Sequence, residues 1–392
     1  MTTRPDYMRA RDEAGFRWHV SASQGALREV TGIPIREFNL NPEACIEAYR
    51  RGRPLLRELF GPEVRLPGVS TPAVSYGHVN ALGSELLFPE GGEVAHTHIY
   101  SSLGEGIRRL REPVRWSEAG MAPFFLEFRE RLSQAFLGEP VGFSFGAEGP
   151  ITTAYELRGE EFFMELLDSP SLAGEFLGAV VESTLEFHRW VCALDGRNPV
   201  NPNAGGMCDD LASFIPARLF REMVLPFWEQ YYRGTTTGRR HAHVEDLRAE
   251  QLPFLEEIGL SFFDPSISPK LTPRIVRDHC RVPFTWRLGS FHYREMDCQE
   301  VEDFVYQAVA DGASGVHTIL AETMCAPEVV EKVRAFIRAA KETERLLSEG
   351  ATREEIGALV SPAGREKLWD GWCGYLGPKS SRGGRSDGIG HR

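Results

Sequence analysis

The sequence predicts a parallel α/β fold, because short apolar runs alternate with amphipathic stretches at ~30–40-residue intervals and the stretches open on helix-capping residues. The chain has 392 residues, 42% of them hydrophobic and 26% charged, ordinary values for a globular protein. Such a length allows two or three domains or one barrel, and it buries a large core without disulfides or metal staples.

Taken in order, residues 141–145 (VGFSF) read as a buried strand bounded by Gly146 and Gly149-Pro150. Asp168-Ser169-Pro170 then seeds a helix, with a capping residue before a proline at the first helical position. Its apolar stripe is Leu172, Phe176, Val180 and Leu185, roughly at helical spacing. Phe214-Ile215-Pro216 opens a helix that turns Leu219, Phe220, Met223 and Val224 inward. Leu252, Leu255 and Ile258 form a helix ending at Gly259, a suitable cap. Residues 260–263 are then a strand, and Thr272-Pro273 starts another helix. Residues 284–288 (FTWRL) are a strand, 299–310 a helix, 315–320 (GVHTIL) a strand and 327–346 a long helix. Nothing like GxGxxG follows the first strand, which disfavours a dinucleotide-binding fold. A barrel and an open doubly wound sheet both fit this alternation.

Composition excludes several functions. The net charge is −12, and without a basic cluster nucleic-acid binding is not expected. No apolar run reaches the ~18 residues of a membrane span, and the first twenty residues have no apolar signal-peptide core, so a cytoplasmic location is expected. The seven cysteines are scattered and odd in number, which argues against a disulfide framework. The Gly-, Ser- and Arg-rich end, 377–392, is expected to be a disordered tail.

Four stretches carry a resemblance. The first is Asn80-Ala81-Leu82-Gly83 with Phe88-Pro89-Glu90-Gly91-Gly92. The second is Gly149-Pro150-Ile151-Thr152-Thr153-Ala154 with Leu157 and Gly159. Asp209-Asp210-Leu211-Ala212-Ser213 with Leu219-Phe220-Arg221-Glu222 and Val224-Leu225-Pro226 is the third, and residues 329–340 are the fourth. Together, over roughly 35–345, they resemble the uroporphyrinogen decarboxylase superfamily, closest to its corrinoid-dependent methyltransferase branch. The resemblance implies a (β/α)8 TIM-type barrel with an N-terminal helical extension. The expected division is an extension at 1–34, a catalytic barrel at 35–346 and a C-terminal helical segment at 347–376.

The superfamily's two chemistries are cofactor-free decarboxylation and methyl transfer to or from a corrinoid, often with zinc. Its decarboxylases carry an arginine signature near the N-terminus. Here Met8-Arg9-Ala10-Arg11-Asp12-Glu13-Ala14-Gly15-Phe16-Arg17 holds arginines in a different order. A polycarboxylate substrate needs a fixed arginine cluster, so decarboxylation ranks second. The methyltransferase branch carries a His-x-Cys pair at a strand end and a distant cysteine near the last strand. His241 and His243 fall on the pair, with histidine in place of the cysteine. Cys325 falls near the distant ligand, and Glu322 competes for that place.

Alternate residues of a strand share a face, and at the C-terminal end of a barrel strand that face meets the active-site mouth. His241 and His243 are thus expected to hold one Zn2+ with Cys325 or Glu322, leaving an open catalytic position. Two imidazoles make the metal a stronger Lewis acid than two thiolates would, favouring demethylation of a methoxylated donor. Cobalt or iron would also suit imidazoles. A chance His-x-His pair bonded to backbone is the competing reading, as is a buried apolar role for Cys325 and a solvated helix-start carboxylate for Glu322.

Asp210, Glu148, Tyr76 and His78 are candidate catalytic residues. Asp209, His317 and Arg287 are candidates for substrate binding. An N-cap for the paired acids and a satisfied core position for His317 are the bland alternatives. His96 and His98 form a second His-x-His pair, and Cys208 is a candidate mouth residue. The leading expectation is a methyltransferase moving a methyl group between a small methylated compound and the cobalt of a separate corrinoid protein. The cobalamin would arrive on that partner, because the chain lacks the Asp-x-His-x-x-Gly signature. A homodimer is implied only by the family. The alternatives are a metal-free decarboxylase or lyase with a mouth lined by Arg239, Arg240 and Arg287, and a non-catalytic tetrapyrrole-binding relative.

Overall fold

The computed structural model describes residues 5–89 and 93–365. Among these the strands are β1 Arg17–Ala22, β2 Val64–Arg65, β3 Leu86–Leu87, β4 Ala95–His96, β5 Ala204–Cys208, β6 Arg239–His243, β7 Leu260–Asp264, β8 Thr285–Leu288 and β9 Gly315–Leu320. Parallel ladders run in the orders β2-β1-β9-β8 and β5-β6-β7, and a parallel bridge from Phe263 to Phe284 links β7 to β8. The run expected at 141–145 enters through two parallel bridges, Ser70 to Gly142 and Val74 to Phe145. β3 and β4 form a short antiparallel hairpin. The result is a mixed α/β architecture of parallel sheets and many helices, consistent with a TIM-type fold.

The N-terminal segment differs from the expected helical extension. Helices Ala10–Ala14 and Gln24–Thr31 flank β1, which lies between β2 and β9 and pairs with β9 from Arg17–Gly315 to Ala22–Leu320. The physical reason lies in its two faces. Val20 and Ala22 pack into the main core, whereas His19 on the other face stacks on His317 with ring centroids 4.9 Å apart. Trp18, Val20 and Ala22 share one face and Arg17, His19 and Ser21 the other, so the strand is not a continuous apolar run of the kind by which the other strands are read.

The predicted helices follow their caps. Helix Pro170–Leu194 buries Phe176, Val180 and Leu185, while Leu172 of the expected stripe is exposed. Thr272 caps Pro273–His279 by accepting from the Ile275 N–H, and Asp297 with Glu300 forms a capping box on Cys298–Ala310. Helix Pro327–Ser348 lies along Cys298–Ala310. Short helices Arg353–Ala358 and Pro362–Gly364 follow; the remainder of the expected C-terminal segment and the tail at 377–392 lie outside the described residues. No described helix is long and apolar enough to cross a membrane. The six described cysteines are free.

Two apolar clusters build the core. The large one joins β1 and β5 to β9 to the surrounding helices. The smaller holds Trp116, Phe125, Phe145 and Phe187, and His78 is sealed against it. The His78 ring sits 5.7 Å from Trp116 and 5.4 Å from Phe187, and its Nε2 meets Ser183 Oγ at 2.9 Å. It is 1% exposed, so the catalytic role expected for it is replaced by a packing role.

Burial pushes the His78 pKa down from 6.5 to about 3. Above pH 6.5 both folded and unfolded chains hold it neutral. Between 6.5 and 3 the unfolded chain takes up a proton that the folded chain refuses, so stability falls with falling pH by roughly 1.4 kcal/mol per pH unit. His78→Phe is expected to flatten that slope, read from urea unfolding at pH 7 and pH 5. An unchanged slope would place the titration elsewhere.

Candidate metal centre

Strand register brings the site together. In the β5–β6 ladder Cys208 is level with His243, and in the β6–β7 ladder His243 is level with Asp264. Three neighbouring parallel strands thus end in Cys, His and Asp at one height, on the rim where such folds place their chemistry. Asp210, two residues beyond Cys208, turns back so that its carboxylate accepts from the Glu245 N–H at 2.9 Å. Cys208 Sγ, one Asp210 oxygen and one His243 ring nitrogen then lie within 4.8 Å of one another. Cys208 Sγ is 3.6 Å from Asp210 Oδ2.

His243 is held from behind. Its Nδ1 is 3.0 Å from Asp264 Oδ2, and Asp264 Oδ1 accepts from the Ser266 N–H at 2.8 Å. Its Nε2 points forward, 3.8 Å from both Asp210 Oδ1 and Glu245 Oε1. A carboxylate behind a histidine fixes ring orientation and tautomer and raises the basicity of the outward nitrogen. Burial opposes a charge on His243, but hydrogen bonds with Asp264 and Glu245 outweigh it and carry the pKa up to about 10. Burial likewise opposes charge on Asp264, and the His243 partnership overrides it, holding that carboxyl down at about 2. Burial raises the pKa of Asp210. It also raises the Cys208 thiol, as do the neighbouring charges of Glu148 and Asp210.

One thiol, one carboxylate and one imidazole form a three-donor set that suits zinc or cobalt and leaves a fourth position for substrate. The residues therefore fit a catalytic metal. The set differs from the expected one. His241 shares the inward face with His243, yet its ring lies against Phe262 at 6.0 Å and stands outside the trio. Glu322 pairs with Arg28. The backbone N–H groups of Met324 and Cys325 donate to Glu29 at 3.0 and 3.1 Å. The turn after β9, with Thr323 at φ 70°, docks this segment on helix Gln24–Thr31. Long-range contacts with Glu29 and Arg28 have claimed the segment that sequence order offered for ligands.

The other candidates divide clearly. Glu148 is half-buried beside the trio and hydrogen-bonds Cys208 and Ser75; burial raises its pKa. Tyr76 lies near Glu148 and Glu156 with its ring on His96. Arg287 donates to Ser266 Oγ at 3.1 Å and helps hold the Glu245 carboxyl down. His317 is 3% exposed. It meets Thr285 Oγ1 through Nδ1 at 3.0 Å and approaches Asp264 at 3.9 Å, so it supports the rear of the site. Burial pushes its pKa down to about 4.

Asp209, expected on the substrate, is fully buried. It accepts from the Ile151 N–H at 3.3 Å, the Thr152 N–H at 2.7 Å and Trp228 Nε1 at 2.6 Å. It thereby holds the first turn of helix Pro150–Arg158 against the end of β5. Gly149 is required there, since a Cβ would come within 2.5 Å of Asp209. Adjacent acids thus have opposite fates: Asp209 positions the helix and Asp210 faces the trio.

Sequence reasoning does not single out Asp264 and Glu245, and it does not read Cys208 as a ligand. The available signal for Asp264 is its place just beyond a predicted strand, immediately before Pro265, and for Glu245 its place two residues beyond His243; β5, which carries Cys208, has no apolar run to predict it. Arg239 and Arg240 lie at the opposite end of β6, on a cleft of about 1140 Å³ beneath β5 to β7. Arg240 there pairs with Glu229 and donates to Ile258 O at 2.8 Å. The arginine-lined mouth expected of a decarboxylase is therefore not formed by these residues.

Fold and site together define a mixed α/β protein, consistent with a TIM-type fold, that carries a metal-compatible donor set at its strand ends. No family model matches the chain, and no curated protein matches it. Among solved structures it is similar to a methyltransferase from Methanosarcina mazei, with TM-score 0.62 and 18% identity, over 86% of this chain and 97% of that one. At that identity the likeness concerns the fold.

Proposed function

We propose that the chain is a metal-dependent methyltransferase that moves a methyl group between a small methylated compound and the cobalt of a separate corrinoid protein. The observation that carries the reading is the Cys208–Asp210–His243 trio, backed by Asp264, at the strand ends of a fold like that of a methyltransferase. The bridges and ladders support closure of eight parallel segments into a (β/α)8 barrel, with 141–145 reaching β5 through the Gly149 N–H to Cys208 O hydrogen bond at 2.6 Å. Cytoplasmic location and a homodimer complete the proposal.

Zinc bound to these donors would supply a Lewis acid at an open fourth position. The protein's own part is positional. Asp264 fixes His243, the Glu245 N–H fixes Asp210, and Glu148 lies against Cys208. The preference for a methoxylated donor rests on two imidazole ligands; a set with one thiol, one carboxylate and one imidazole supplies no such preference. The test is methyl transfer to a cobalt(I) corrinoid protein from a panel of methylated compounds, followed in the visible spectrum, with metal-loaded and metal-stripped enzyme. Metal-dependent methylation is expected. Product formed by decarboxylation or lysis without metal would instead establish the alternative.

A further inference from the structure

We infer that a cavity on the flank of the parallel sheet, between β5 and the run at 141–145, binds a small electrically neutral methylated compound and admits it to the metal centre from beneath Cys208. Residues 204–206 (Ala-Gly-Gly) carry almost no side chain, and β5 has a ladder on one edge only, with β6. Across the other edge the run at 141–145 bridges to Ser70 and Val74 instead. Among the described residues, the one backbone hydrogen bond that joins the end of this run to β5 is Gly149 N–H to Cys208 O at 2.6 Å. The two segments are thus clasped at the top and unlaced below. A cavity of about 440 Å³ lies along that free edge, walled by the β5 backbone, by His188 and Cys192 of helix Pro170–Leu194 and by Tyr231 of helix Leu225–Thr235. The exposed Asn201 and Asn203 stand at its rim.

Gly206 connects this cavity with the site. It lines the cavity and is itself exposed. Alternate residues of a strand share a face, so Gly206 lies on the inward face with Cys208, roughly 7 Å below it at the usual rise of a strand. It is level there with His241 of β6. A Cβ built at Gly206 meets no atom within 4 Å, whereas one at Gly205, on the opposite face, comes within 2.7 Å of Thr236. The inward side of β5 is therefore hollow where its outward side is packed, and the hollow begins immediately beneath the thiol of the trio.

The lining selects the kind of ligand. It contains no carboxylate and no lysine, and its single arginine, Arg197, is paired with Asp195 at 3.0 Å. An ion that entered would lose its water without gaining a counter-charge, which disfavours charged compounds. The Asn201 amide oxygen accepts from the Asn203 and Ala204 N–H groups at 2.8 and 3.4 Å, and His188 Nε2 meets Pro199 O at 2.8 Å. The Asn201 amide N–H groups and the Tyr231 hydroxyl have no partner among the described residues and can meet a ligand oxygen. A neutral methyl ether, with one acceptor oxygen and little bulk, matches such a lining. The location also separates two kinds of traffic. In the proposed reaction a corrin ring has to come face to face with the open metal position at the strand ends, and it covers the rim as it does so. A small compound that arrives from below Cys208 needs no share of that rim. The role of this ligand as methyl donor rests on the proposed function; its binding does not.

The test is calorimetric titration of the full chain, metal-free, with anisole and with its charged relative 4-methoxybenzoate. Anisole is expected to bind about tenfold or more tightly than the carboxylate. Gly206→Leu fills the hollow, and Asn203→Trp obstructs the rim away from Cys208. Each should weaken anisole binding about tenfold or more, with circular dichroism and zinc stoichiometry as in wild type. In the metal-loaded enzyme each should lower kcat/KM for the methyl donor by a similar factor and leave the dependence on corrinoid-protein concentration unchanged. No anisole binding, equal binding of the two probes, or variants that behave as wild type overturn the inference. If ethers nevertheless methylate the corrinoid protein, the proposed function survives and the substrate enters by the rim. If anisole binds as described and no methyl donor works with any metal, the cavity stands and the methyl-transfer reading falls.

Discussion

His243→Ala is expected to abolish stoichiometric zinc binding, and Asp264→Asn to weaken it ~10–100-fold, with methyl transfer falling in parallel. The first removes the only nitrogen of the trio. The second leaves all three donor residues in place and removes the carboxylate that sets the ring, so its effect isolates the orientation imposed through the 3.0 Å contact. Cys208→Ala should resemble His243→Ala. Elemental analysis of purified variants, with competition against a chelator, gives the measurement. The decisive comparison is with the residues suggested by chain order. If His241→Ala or Cys325→Ala strips the metal while Cys208→Ala retains it, the centre is the expected His-x-His set and the trio is not the site.

Asp209→Ala is expected to cost about 3–5 kcal/mol of stability, because three buried donors lose their acceptor at once. The Ile151 and Thr152 N–H groups belong to the first turn of a helix, where no intrahelical partner exists. The Trp228 indole is fully buried and has Asp209 as its acceptor. Burial raises the Asp209 pKa to about 6 against the pull of these donors, a measure of how deeply the carboxyl is enclosed. Urea unfolding followed by tryptophan fluorescence gives the value. A variant that keeps wild-type stability and loses only substrate affinity would return Asp209 to the substrate contact first expected for it.

Asp209 and Asp210 show what local sequence cannot separate. Both are acids at the end of β5, and a pattern reading assigns both to the mouth. A one-residue change of position reverses the direction of a side chain at a strand end. Asp209 then falls under helix Pro150–Arg158 and Asp210 falls over Cys208. His78 misleads for a related reason. Its polar type suggests a site, but the partners that satisfy or enclose it, Ser183 and Phe187, come from more than a hundred residues away.

β1 escapes a pattern reading because its inner face is polar. Polar residues at its inward positions separate Trp18, Val20 and Ala22, so β1 is not one of the continuous apolar runs by which the other strands are found. The legible strands, 260–264 and 315–320, carry enough Leu, Ile, Val and Phe to read as apolar runs even with His317 among them. Helices are the most legible elements, since a cap such as Thr272-Pro273 or Asp297 is a local hydrogen-bonding device that needs no distant partner.

The sequence by itself determined the parallel α/β alternation and the capped helices, each of which depends on residues within a few positions of one another. His243 and Asp210 entered as site candidates through the resemblance of their segments to a family pattern. Only the tertiary structure decided which thiol stands beside His243, because ladder register places Cys208 level with it while Glu29 and Arg28 draw Cys325 and Glu322 away. It also decided that Asp264 backs the histidine and that Gly206 shares a cavity with Cys192 and Tyr231. Those contacts join segments far apart in the chain, and their geometry is set by strand register and helix docking rather than by spacing in the sequence.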